Sequence, residues 1–91
     1  MAQASLGYSK LPVSSTAVGP ATATPAIPAK VQRALIRVRG GDVMIRDDGT
    51  PPTASEGLPL LDGDAIWFDG DIYRLKAIAV STDATLYFLW Y

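Results

Sequence analysis

The side chains whose spacing comes nearest to working chemistry are the carboxylates between residues 47 and 71. Asp47-Asp48-Gly49 is followed by Glu56, Asp62-Gly63-Asp64 and Asp69-Gly70-Asp71, with no Lys or Arg in that stretch. Hard cations such as calcium take several carboxylate oxygens, with a glycine allowing the sharp turn. The D-x-[DN]-x-[DN]-G-x₅-E spacing of a calcium loop is missing, however, and Asp and Gly recur in tight turns for backbone reasons alone. No metal is expected. Paired carboxylates can also hydrolyse glycosides, but here they sit in the turns of a chain too short to enclose a substrate cleft. Nucleophilic chemistry has as little to work with. The sequence contains neither His nor Cys, which removes the usual general base and the thiolate nucleophile. No motif sets Lys10, Lys30 or Lys76 beside a hydroxyl. The residues describe a protein that is not an enzyme, with no catalytic residue, no cofactor and no small-molecule substrate.

Binding is the other chemistry open to these side chains. Lys30, Arg33, Arg37, Arg39 and Arg46 crowd one stretch, just ahead of the acidic run. Either the basic residues form solvated ion pairs with the neighbouring acidic loops, each worth little, or they meet the acidic loops of an adjacent copy or an acidic partner face, which sets register and specificity. Nucleic acid is not expected: eight Lys and Arg against nine Asp and Glu give a formal charge of -1, and no aromatic is interleaved with those arginines along the chain. Apart from Tyr8, every aromatic falls between Trp67 and Tyr91. By alternation Leu86, Phe88 and Trp90 share one strand face, and Tyr87, Leu89 and Tyr91 the other. The first reads as core. The second reads as a subunit interface, where Tyr and Trp are enriched, or as a platform on which sugars stack.

These groups need a scaffold, and 91 residues allow one small domain. From Arg33 onward the period is two, the signature of strands with one face buried. Arg33–Arg39 turns Ala34, Ile36 and Val38 inward. Gly40-Gly41-Asp42 reads as a turn into a second strand, Val43–Arg46, the two forming a hairpin. Asp47–Thr53 is loop. Gly57–Leu61 is a short edge strand because of Pro59, Ala65–Phe68 another strand, and Tyr73–Val80 and Ala84–Tyr91 the last two. Tyr8–Ser14 is a further strand candidate. Nothing predicts a long helix. The expected fold is all-β, a small antiparallel β-sandwich or jelly-roll-like barrel.

The chain changes character near residue 30. Residues 1–29 carry one charge, Lys10, and the prolines Pro12, Pro20, Pro25 and Pro28. This segment is read as an extended N-terminal arm (1–29) attached to a β-sandwich body (30–91), with a disordered tail as the plainer alternative. As an arm it would lie along a neighbouring subunit through Tyr8, Leu11, Val13, Val18 and Ile27. On the body, Arg33, Arg37, Arg39, Trp67, Tyr87 and Tyr91 are the partner-binding candidates. Met1–Lys10 has no basic or apolar region of a secretory signal, and the apolar runs fall far short of the ~18 residues of a membrane span. A soluble protein made in a cytoplasm is expected.

Residues 33–91 resemble a family of small tailed-phage virion proteins. The likeness rests on the loop Arg46-Asp47-Asp48-Gly49-Thr50-Pro51-Pro52-Thr53-Ala54-Ser55-Glu56-Gly57, which follows an R-x-D-D-G-T-x-P-T-A-S-x-G pattern except that no residue separates Arg46 from the two aspartates. A short aromatic strand ending in Gly-Asp, a K-x-I strand and a terminal aromatic pair follow it. Ile45 stands where the family often has an aromatic. The resemblance implies a virion-associated β-protein and brings no catalytic residues. Within the loop, Arg46 is placed to fork onto Asp47 or Asp48, and Gly49 supplies a positive φ. The expected function is therefore a capsid decoration or cement protein on the virion surface, assembled in the host cytoplasm. Its partners would be the major capsid protein and other copies of itself, with a trimer favoured and neither membrane nor nucleic acid involved. The alternative is a tail, neck or head-fibre module that stacks host-surface carbohydrate on Trp67, Trp90 and Tyr91.

Overall fold

The computed structural model describes residues 4–91. Seven strands run in chain order: β1 (Gly7–Val13), β2 (Ala34–Arg39), β3 (Val43–Arg46), β4 (Leu58–Leu60), β5 (Ala65–Phe68), β6 (Lys76–Ala79) and β7 (Ala84–Trp90), with a single 3₁₀ turn at Pro20–Thr22. They form two antiparallel sheets, one ordered β1-β7-β2-β5 and the other β4-β3-β6. The all-β sandwich expected from the period-two pattern is what forms. The sheets stay open, with no strand pairing that would close them into a barrel.

Alternation explains the core. β2 and β7 are interior strands of the larger sheet; Ala34, Ile36 and Val38 point inward from one, and Leu86, Phe88 and Trp90 from the other. Val43, Ile45, Leu60, Ala77 and Ala79 face them from the smaller sheet. Phe88 and Trp90 stack at 4.7 Å between ring centroids, with planes 5° apart. Burying each such ring contributes about 1.5–3 kcal/mol.

Three expectations are corrected here. First, β2 and β3 do not form a hairpin, since each belongs to a different sheet. Gly40, at φ +99°, and Gly41 carry the chain across the sandwich hard against Thr82 and Asp83 of the β6–β7 connection. A side chain on Gly41 would strike the Thr82 backbone oxygen at 2.9 Å, so two crossovers run side by side where a hairpin turn was expected. Second, β6 starts at Lys76 rather than Tyr73. The Asp71 carboxylate accepts the Tyr73 amide at 3.0 Å and its carbonyl accepts those of Arg74 and Leu75, bending 71–75 into a turn. That turn lowers Ile72 and Leu75 into the core.

The third correction concerns the arm. Its first three residues lie outside the described ones, but from Gly7 the segment belongs to the body. β1 pairs along its whole length with β7, and Leu11 and Val13 are core residues at 2% and 1% exposure. Val18 and Ile27 pack against the same core. The Pro-rich stretch then closes the two sheet edges it passes. Lys10 and Thr24 exchange backbone hydrogen bonds on the open side of β1, and Val18 does the same with Ala77 of β6. Pro-rich backbone cannot make a ladder of its own, yet it can cap the unpaired edges of strands that are already formed. β4, with Pro59, and β5 remain the uncovered edges.

Candidate functional site

The outer face of the four-stranded sheet gathers most of the side chains singled out for binding. Register alone assembles it. Tyr8 of β1 lies opposite Leu89 of β7, Leu89 opposite Leu35 of β2, and Leu35 opposite Trp67 of β5, one continuous row across four strands. The next row reads Lys10, Tyr87, Arg37, Ala65. Beyond the first row lie Arg33 and Tyr91, and beyond the second Arg39 beside Thr85. Tyr8 and Trp67 are exposed, at 46% and 53%, and Leu35, Tyr87, Leu89 and Tyr91 are half-buried.

Two features set this face apart. Its apolar side chains surround a shallow hollow of about 320 Å³ lined by Tyr8, Leu35, Arg37, Ala65, Tyr87 and Leu89. Its charges are all of one sign: Lys10, Arg33, Arg37 and Arg39 are exposed, and no position on the four strands carries an acid. The ion pairs with acidic loops that a basic strand predicts do not form. Among the described residues the one ion pair joins Arg46 to Asp48. Arg33 turns to the rings instead, its guanidinium 4.5 Å from the Trp67 ring centre and 5.8 Å from that of Tyr91. The two rings are themselves 5.2 Å apart and tilted by 57°. Cation–π contacts of this kind hold an aromatic cluster in one arrangement while leaving its rim wet.

No aromatic falls among those arginines along the chain, but across the strands Tyr87 lies between Lys10 and Arg37 in one row. Trp90 moves the other way. It lies on the face read as core, a sugar-stacking ring only in the carbohydrate alternative; it is wholly buried, and its indole N–H donates to Ser9 Oγ at 2.8 Å inside the core. Of the candidate arm contacts, only Tyr8 presents a free surface on this face; Leu11 and Val13 are enclosed.

The family-like loop is a separate feature. Arg46 forks onto Asp48, Nε to Oδ1 at 3.0 Å and Nη2 to Oδ2 at 2.6 Å, while Asp48 also accepts the Thr50 amide at 3.3 Å. The Arg46 hydrogen bonds, with the Thr50 amide adding to them, lower the Asp48 pKa to about 2 and push that of Arg46 up. Asp47 is not the partner; its carboxylate lies against Gly70. Gly49 holds φ +91° with the Arg74 guanidinium lying over it, so any other residue would be strained in its backbone and would have to push Arg74 aside. A groove of about 440 Å³ runs beside the loop, between Arg46–Asp48, Glu56–Leu58 and the rings and side chains of Phe68 and Leu75. Its strongest donor and acceptor already satisfy each other.

Several of the other acids brace turns. Asp62 accepts the Gly40 amide at 3.0 Å, Asp42 that of Asp62 at 2.9 Å, and Asp64 that of Leu61 at 2.8 Å. Among the described residues no three potential metal ligands converge. Ser9 is the residue that pattern reading missed. It is fully buried, accepts from Trp90 and donates to the Pro25 carbonyl; a small polar residue in alternation with Leu11 and Val13 offered no signal beyond its inward parity. No protein-family model, curated protein or solved structure matches this chain.

Proposed function

We propose that this protein is a non-enzymatic structural component of a tailed-phage virion, a decoration or cement protein docked on the capsid surface. The observation that carries the reading is the outer face of the four-stranded sheet: exposed Trp67 and Tyr8 beside half-buried Leu35, Leu89 and Tyr91, with four cations that form no ion pair among the described residues. Aromatic and arginine side chains around a desolvated centre are what protein–protein hot spots are made of. The resemblance of residues 33–91 to small virion proteins points the same way. Since residues 7–29 close the sandwich of their own chain, attachment falls to this face rather than to a free arm. The partners are neighbouring shell proteins, the major capsid protein and further copies of the chain. Many identical contacts over a symmetric shell then turn modest affinities into firm attachment.

The carbohydrate alternative has less support. Trp90 is enclosed, and Arg33 lies over the Trp67 ring where a sugar would stack.

Heads lacking the protein, incubated with purified wild type or with a Tyr8→Ala/Trp67→Ala double variant, test the proposal. Both side chains are exposed, so the fold should survive. Loss of the two exposed aromatics that end the row is expected to weaken attachment at least tenfold, which is about 1.4 kcal/mol. Equal occupancy of heads by the two proteins would remove the face from the mechanism. No attachment by the wild type would remove the proposal.

A further inference from the structure

Two adjoining surfaces of this molecule, which meet where Arg39 precedes Gly40, carry charges of opposite sign, and the contrast says what the outer face receives. At the end of the sandwich where β2, β4 and β6 finish, the turns 40–42, 61–64 and 80–83 meet. Asp62 binds the Gly40 amide, Asp42 that of Asp62, and the Val80 amide donates to the Asp42 carbonyl at 3.0 Å. That end carries Asp42, Asp62, Asp64 and Asp83, all exposed, and none of them is ion-paired. It also carries two exposed apolar side chains, Leu61 at 56% and Val80 at 36%. The Leu61–Asp64 turn projects into solvent, with nothing within 4 Å of where a Gly63 side chain would stand.

The outer face is its complement: four cations with no carboxylate partner among the described residues, Lys10, Arg33, Arg37 and Arg39, around an apolar hollow of about 320 Å³. We infer that a second copy of this chain occupies the face, its acidic end seated on the cations and the Leu61 turn in the hollow. This deepens the proposed function, resting on the same face, by naming the occupant. Four carboxylates meet four cations, and apolar side chains meet an apolar hollow. Because the two surfaces differ, the contact is head-to-tail. Such contacts close into rings or run on as filaments, and a three-membered ring suits a three-fold junction of a shell. Opposite charge selects the orientation, since face against face or end against end sets like charges together.

Two exposed substitutions test the inference on the full chain: Arg37→Asp spoils the face and Asp83→Lys spoils the end. Neither side chain has a hydrogen-bond or ion-pair partner among the described residues, so circular dichroism and melting temperature serve as folding controls. Sedimentation velocity is run from 10 to 200 µM in 50 and 500 mM NaCl, concentrations chosen so that modest affinities are visible. The wild type should associate, and roughly tenfold more weakly in high salt, where charges are screened beyond ~5 Å. Each variant alone should stay monomeric. An equimolar mixture should form dimers that grow no further, because it holds one intact face and one intact end.

A monomeric wild type at all concentrations overturns the inference, as does association that Arg37→Asp leaves unchanged. A mixture that stays monomeric overturns it too. Binding of a labelled 20-mer oligothymidylate by a monomeric wild type, lost in Arg37→Asp, would assign the face to single-stranded nucleic acid instead. Attachment to heads is scored separately. A monomer that still docks through the face leaves the proposed function standing without this inference, and a self-associating protein that never binds heads does the reverse.

Discussion

Ser9 and Arg46 show how much a single side chain decides here. Ser9 links β1, the Pro-rich segment and the indole of Trp90 through one hydroxyl with no exposure to water. Ser9→Ala removes the acceptor and leaves a buried indole N–H unpaired, which costs about 1–3 kcal/mol; denaturant unfolding should register that loss, while Ser14→Ala, at an exposed position, should not. Arg46 works at the surface. With its carboxyl held near a pKa of about 2 against an ordinary 3.8, Asp48 contributes stability that is fully present above the ordinary range and is lost as pH falls through about 2. Arg46→Ala should return the Asp48 titration to the usual carboxylate range, read from its side-chain carbonyl shift by NMR. The fork of Arg46 was legible from the adjacent aspartates; the choice of Asp48 over Asp47 was not, because it depends on where Gly70 meets the loop.

At the scale of elements, the N-terminal strand carries the clearest consequence. Low charge and repeated proline made residues 1–29 look like a segment in search of a partner, and from Gly7 onward the partner is the same chain. β1 and the 14–25 stretch together cover an edge of each sheet. Leu11→Ala should therefore cost about 2–5 kcal/mol, as truncation of an enclosed leucine does. Removing residues 1–29 should abolish folding, visible as collapsed amide dispersion in an NMR spectrum. A truncated body with native dispersion would show that β1 is dispensable. The strands β2, β5 and β7 could be read directly, β2 from its alternation of apolar and polar residues and β5 and β7 from apolar runs bounded by turn formers, both of them local properties. The pairing of β2 with β7 rather than β3 could not. Gly40-Gly41 permits either a hairpin or a crossover, and the choice is made by Thr82 and Asp83, forty residues away.

For the whole molecule, the near-neutral total hides a separation of charge that only three dimensions organise. The sole internal ion pair among the described residues is the exposed Arg46–Asp48 fork, so the fold leans on burial, not on charge. The cations of the outer face and the acids of the turn end are free to act between molecules. Salt should thus disturb docking far more than folding: raising it from 50 to 500 mM weakens attachment of the wild type to heads while leaving the unfolding midpoint nearly unchanged. The sequence by itself determined that the chain is all-β, that Ala34, Ile36, Val38, Leu86, Phe88 and Trp90 turn inward, and that thiol and imidazole chemistry are absent, because composition and a two-residue period are carried by neighbours in the chain. Tertiary structure alone decided that the Pro-rich segment seals its own sandwich. It alone decided that Tyr8, Leu35, Trp67 and Leu89 make one row flanked by cations, because strand order and register join residues far apart in sequence and leave no local trace.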